Sequence, residues 1–223
     1  MSAVWQLLQD GRFEEACSTA DREYSETQSL LALRNKVYAL LRLDRNREAA
    51  ILCDDIIGLD GGNSDSDYIS LGVAQWRDGR RIEAVATWQL ASDTKHTDAA
   101  GGVDVWLLCY FAAVKLADKT LMNRSESKLK SIGKRRSIAN WPGAVALFIL
   151  GKLTEDELLA TRSEQPLLRA RQLCKAEFYI GVMRLISGDL AGYRVHMHRS
   201  LSYGAVCPLG PEYYLADVES RSL

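Results

Sequence analysis

The one close histidine pair in the chain is His196 and His198, in Val195-His196-Met197-His198-Arg199. Residues two apart on a helix diverge by about 200°, so these rings cannot share a metal ion. The spacing predicts one ring at a helix interface and one in solvent. His96, alone in Thr94-Lys95-His96-Thr97, reads as a loop residue. Five cysteines, Cys17, Cys53, Cys109, Cys174 and Cys207, follow no paired spacing. Four lie in predicted helices among apolar neighbours, and they are expected to be reduced, buried small groups rather than disulfides or metal ligands. Gly61-Gly62 and Gly101-Gly102 have no following Lys-Ser/Thr and no preceding strand, so they read as turns rather than phosphate loops. Thr161-Arg162-Ser163 and Ser200-Leu201-Ser202 lack the strand–turn–helix setting of an exposed nucleophile. No acid–base pair is supported by spacing, so the chain is expected to be non-catalytic, without metal or cofactor.

Charge gives the next signal. Lys128, Lys130, Lys134, Arg135 and Arg136 form one concentrated basic run. Its simplest reading is a solvated helix end, where cations meet the negative end of the macrodipole. An acidic protein surface comes next as a partner, and nucleic acid last. The first seventy residues are the opposite in sign, with thirteen Asp and Glu against seven Arg and Lys. Such asymmetry would steer a basic protein toward the N-terminal half, or bring two copies together head to tail.

The elements that position these residues follow from repeats. With Asp65 as position 1, Tyr68 falls at 4, Leu71 at 7, Gly72 at 8, Gly79 at 15, Ala84 at 20, Trp88 at 24 and Ala91 at 27. Leu71, Gly72 and Gln75 share one face of a first helix, and Ala84, Trp88 and Ala91 one face of a second. Small Gly72 and Ala84 let the axes approach, Trp88 and Tyr68 fill the remaining volume, and Gly79 suits a left-handed helix end. Ala16 and Ala49 repeat the small position, at steps of 33 and 35 residues to Ala84. Near the C-terminus, Ile180, Gly181, Gly188 and Leu190 repeat it again, but Tyr193 occupies the small site, which predicts different packing there.

This pattern is the tetratricopeptide one, a helix–turn–helix of about 34 residues that stacks on its own copies. The chain resembles bacterial tetratricopeptide repeat proteins over most of its length. Trp141-Pro142, Ala146-Leu147-Phe148, Gly151 to Leu158, Ala176 to Gly181 and Gly188-Asp189-Leu190 are similar to repeats of the lipoprotein NlpI group. That resemblance implies a helical scaffold that binds other proteins and often dimerises. The absence of a signal peptide and of a lipid-acceptor cysteine points away from the periplasmic role of that group. In such a stack the first helices line a concave groove. Trp5, Arg34, Tyr38, Arg42, Ile69, Val73, Trp76 and Arg77 are the expected groove residues, since aromatics and Arg dominate binding hot spots.

Residues 101–172 depart from the consensus but still read as helix. Val103 to Ala117 is apolar at helical spacing, Asn123 to Ile132 reads as a short charged partner helix, and Pro142 opens Ala144 to Leu150. Thr154 to Glu157 is a capping box, Pro166 precedes a long helix to about Ser187, and Pro211 opens a last one. The fold expectation is therefore all-α, a tetratricopeptide-like helical-hairpin solenoid. Repeats occupy 1–100, irregular hairpins 101–172, and a final repeat with a capping helix 173–223. A hydrophobic fraction of 47% with 26% charged residues fits an ordinary soluble chain, and no apolar run reaches the roughly 18 residues of a membrane span. The expected role is a cytoplasmic protein-binding scaffold or adaptor, among which is an immunity protein holding a basic toxin. The alternative is a nucleic-acid-associated regulator acting through the basic run.

Overall fold

In the computed structural model, residues 2–205 and 209–221 are described; the expectation for Cys207 lies outside them. The described residues are all-helical, with α1 (Ala3–Gln9), α2 (Phe13–Thr27), α3 (Leu30–Arg42), α4 (Asn46–Asp60), α5 (Asp65–Arg77) and α6 (Arg81–Leu90) in the N-terminal part. There follow α7 (Val103–Leu116), α8 (Lys119–Ile132), α9 (Gly143–Ile149), α10 (Glu155–Ala160), α11 (Pro166–Ile186), α12 (Leu190–Gly204) and α13 (Pro211–Arg221). The chain divides into two units, Met1–His96 and Thr97–Leu223. Residue 172 lies inside α11, so no element ends at that expected boundary. Neighbouring helices pack in pairs: each on the next from α1 to α6, then α7 on α8, α9 on α10, and α11 on both α12 and α13.

One turn recurs at six helix pairs. The second residue after the first helix has a positive φ: Gly11, Asp44, Gly79, Gly151 and Gly188, with Ala117 one position nearer its helix. The amide after it bonds back to a carbonyl five residues earlier, from Arg12 to Leu7, Arg45 to Leu40, Arg80 to Gln75, Asp118 to Ala113, Lys152 to Leu147 and Asp189 to Arg184, at 2.8–2.9 Å. This satisfies helix-end carbonyls that would otherwise be orphaned. Glycine adopts this conformation without penalty, but Asp44 and Ala117 do not. Ala117→Gly should therefore stabilise the protein by about 0.5–1 kcal/mol, the left-handed penalty less the extra chain entropy of glycine. Urea unfolding of the two proteins checks this by a raised midpoint at unchanged slope.

The second helices start differently in the two units. In the first, Arg12, Arg45 and Arg80 each pair with a glutamate three residues on, Glu15, Glu48 and Glu83. In the second, Asp118, Thr154 and Asp189 accept backbone N–H groups from Leu121, Glu157 and Gly192. The capping box at Thr154 is present in both directions.

The repeat positions pack as their sizes require. Ala16, Ala49 and Ala84 are fully buried. A Cβ placed on Gly72 would lie 2.2 Å from the Trp88 ring nitrogen, so only glycine admits that indole. The Trp88 N–H donates to the Ile69 carbonyl at 3.2 Å, and its ring stacks on Trp76 at 5.7 Å. In the second unit Gly181 does the same for Met197 on α12. Tyr193, too large for a small site, instead runs through the interface: its hydroxyl donates to Glu219 of α13 at 2.7 Å, and Lys115 pairs with the same carboxylate. His196 is buried with Nδ1 2.6 Å from Glu177, and His198 is exposed. Cys17, Cys53, Cys109 and Cys174 are buried, without disulfides. No helix among the described residues is long and apolar enough to cross a membrane.

Candidate binding cleft and basic strip in the second unit

Leu168, Arg171, Gln172 and Lys175 recur at i, i+3, i+4 and i+7 along α11, which puts them on one face. That face forms one side of a 420 Å³ cleft, whose remaining lining is Asp98, Ala99 and Asp104 with Trp141 and Pro142. The volume falls in the range of small-ligand sites. The apolar wall is Ala99, Trp141, Pro142 and Leu168; the other residues are polar or charged.

Lys175, 2% exposed, closes the floor. Its ammonium pairs with Asp104 and lies 3.0 Å from Glu212 of α13, an ion pair by distance rather than an aligned hydrogen bond. Burial works against the ammonium, but Asp104 and Glu212 outweigh it and hold the Lys175 pKa above the ordinary lysine value. Burial in turn pushes Glu212 above the usual carboxylate range, against the pull of Lys175. Asp98 accepts the amides of Ala100 and Asp104, each at 2.8 Å. Burial and then the neighbouring Asp104 raise its pKa, and the two amide bonds only partly offset this. A lysine held protonated in this way offers neither a nucleophile nor a base at neutral pH.

Arg171, at the rim, is exposed and has no ion partner among the described residues. Lys175, by contrast, faces two carboxylates.

The basic run lies beside this cleft. Lys128, Lys130, Lys134, Arg135 and Arg136 are all exposed. Lys130 pairs with Glu126 at 3.1 Å, and Lys128 sits with Arg124 over the Trp106 ring, at 5.3 and 5.6 Å. Lys134, Arg135 and Arg136 have no ion pair among the described residues. They lead into a short turn tied to the cleft's own loop: Ser137 donates to the Ala100 carbonyl at 3.0 Å, and Asn140 to that of Ala99 at 3.1 Å. The strip and the cleft therefore share the segment 98–101.

The groove residues expected in the first unit are placed otherwise. Ile69, Val73 and Trp76 are 8%, 1% and 1% exposed, core side chains with little surface to offer a partner. Arg34 makes two bonds to Asp67, at 2.8 and 2.7 Å, and reaches Asp60 at 3.4 Å. Arg77, its side chain 2% exposed, bonds Asn46 at 2.9 Å and Asp44 at 2.8 Å. Arg42 lies over the Phe13 ring at 4.6 Å, and Trp5 and Tyr38 are half-buried. Arg34 meets Asp67, 33 residues after it, and Arg77 meets Asp44, 33 residues before it, so packing neighbouring hairpins together brings each of these two guanidinium groups onto an acid of an adjacent one.

Internal pairing uses many acids of this unit but leaves its net charge unchanged. Residues 1–96 carry sixteen Asp and Glu against eleven Lys and Arg, net −5, and the remainder thirteen against seventeen, net +4. At least eight of the sixteen acids, among them Asp21, Glu48 and Asp78, are already ion-paired.

The α11 stripe was not foreseen from the sequence. Its signal was a row of Arg, Gln and Lys on the helix face that continues into the buried Tyr179. No protein-family model matches this chain, and no curated protein matches it.

Proposed function

We propose that the chain is a non-catalytic protein-binding scaffold of tetratricopeptide-like hairpins, and that its second unit receives an acidic protein surface. The observation that carries this is the trio Lys134, Arg135 and Arg136, exposed and without ion partners among the described residues, beside an apolar-walled cleft. Unpaired cations around a desolvating pocket give both steering and an anchor point. Holding a basic toxin would instead use the first unit, whose net charge of −5 internal pairing leaves unchanged. The strip supports the adaptor role, which is the reading put first. Self-association through the opposite net charges of the two units remains part of the proposal as a competing use of the strip.

The test compares wild type with the Lys134→Glu, Arg135→Glu, Arg136→Glu variant in extracts with and without nuclease treatment, with bound proteins identified by mass spectrometry. A stoichiometric acidic partner should be lost in the variant, with affinity down by more than about tenfold and strong salt sensitivity in wild type. A partner retained undiminished would remove the strip from the function. Binding abolished by nuclease would transfer it to nucleic acid.

A further inference from the structure

We infer that the cleft between α11 and the 98–104 and 141–142 segments binds a compact apolar acid, its carboxylate on Arg171 and its body against Trp141, Pro142 and Leu168. The site goes beyond the protein-binding reading and does not depend on it. Three observations converge. The cleft holds 420 Å³, enough for a phenyl or branched aliphatic group with a short acid arm. Its wall is apolar, and Leu168 is 41% exposed without a ligand, so a body placed there removes existing apolar surface from water.

The placement of the charges, not their sum, then selects the sign. Lys175 already faces Asp104 and Glu212, and Asp98 holds two backbone amides. A ligand ammonium would meet carboxylates that are occupied, with two cations close by. A ligand carboxylate would meet Arg171, whose planar fork accepts it in two parallel bonds and which has no ion partner among the described residues. The same chemistry is offered by a free acid or by a peptide ending in an apolar residue with a free C-terminus.

Calorimetric titration of the full chain with 3-phenylpropionate tests this, beside 3-phenylpropanamide, phenethylamine, and Ala-Ala-Phe as its free acid and its amide. The acid should bind saturably, with the amide and the amine weaker by at least about tenfold. Arg171→Gln should lose about tenfold, and Leu168→Trp, which fills the cleft, should abolish binding; unchanged thermal midpoints verify that both variants fold. Tighter binding of free-acid Ala-Ala-Phe than of phenylpropionate assigns the site to a peptide terminus, and the reverse to a free acid. Amide or amine binding as tightly as the acid would overturn the inference, as would no binding by either acid at millimolar concentration. The Lys134→Glu, Arg135→Glu, Arg136→Glu variant keeps Arg171 and the apolar wall and should retain the acid whatever becomes of a protein partner. Loss of the acid there would move the anion contact off Arg171 and overturn the assignment.

Discussion

Lys175→Met should destabilise the protein by about 3–5 kcal/mol, because it leaves two acids facing each other in the interior with no cation between them. Asp104 and Glu212 meet only through this ammonium, which is 2% exposed, and Glu212 is itself 1% exposed. The loss should shrink as pH falls. Glu212 already has its pKa raised by burial, and removing Lys175 takes away the attraction that opposed that rise. A native state that binds a proton more tightly than the unfolded chain gains stability as pH decreases. The window begins at the raised Glu212 pKa and closes at the ordinary glutamate value. Urea unfolding at several pH values checks both points. Pairing Lys175→Met with Asp104→Asn and Glu212→Gln should recover most of the loss, since no charge is then left without a partner. A loss that is independent of pH and not recovered would mean that packing, not charge, is what Lys175 supplies.

Trp88→Ala should cost about 3–5 kcal/mol, through lost burial and the cavity left behind. The indole is fully buried, stacks on Trp76 and donates to the Ile69 carbonyl. From the other side of the same contact, Gly72→Ala should cost about 1–3 kcal/mol, because its methyl would need space the indole occupies. The two changes share that space and should not add. The double variant should be more stable than the sum predicts by roughly the Gly72→Ala cost, since the methyl then enters a vacated volume. A double-mutant cycle from thermal or urea unfolding measures this coupling. Strict additivity would mean that Trp88 shifts freely and that glycine is not required by the close approach.

How much of this was legible in advance depends on the range of each interaction. The turns at Gly79 and Gly188 could be read because glycine at a positive φ is a local matter. The Thr154 capping box, the start of α11 at Pro166 and the small positions at Ala16, Ala49 and Ala84 are of the same kind. The equivalent turns at Asp44 and Ala117 carried no glycine and gave no signal, although the hydrogen bonds that close them are the same. Asn123 to Ile132, read as a short helix, is part of a longer one starting at Lys119, because Asp118 caps it with a bond to Leu121 that composition alone does not announce.

The candidate sites divide along the same line. The basic run was visible as a run, and its exposure follows from its composition. Arg34 and Arg77 looked equally available, yet each meets a carboxylate 33 residues away. Lys175 lies 71 residues from Asp104, and the cleft joins segments near 98, 141 and 171. The sequence by itself determined many of the helix ends and which faces are apolar, because backbone torsion, capping and periodicity act within a turn or two. Only the tertiary structure decided which charges are spent and which stay free. That depends on the register of one hairpin against the next, set by the summed packing of side chains such as Trp88 in the first unit and Tyr193 in the second.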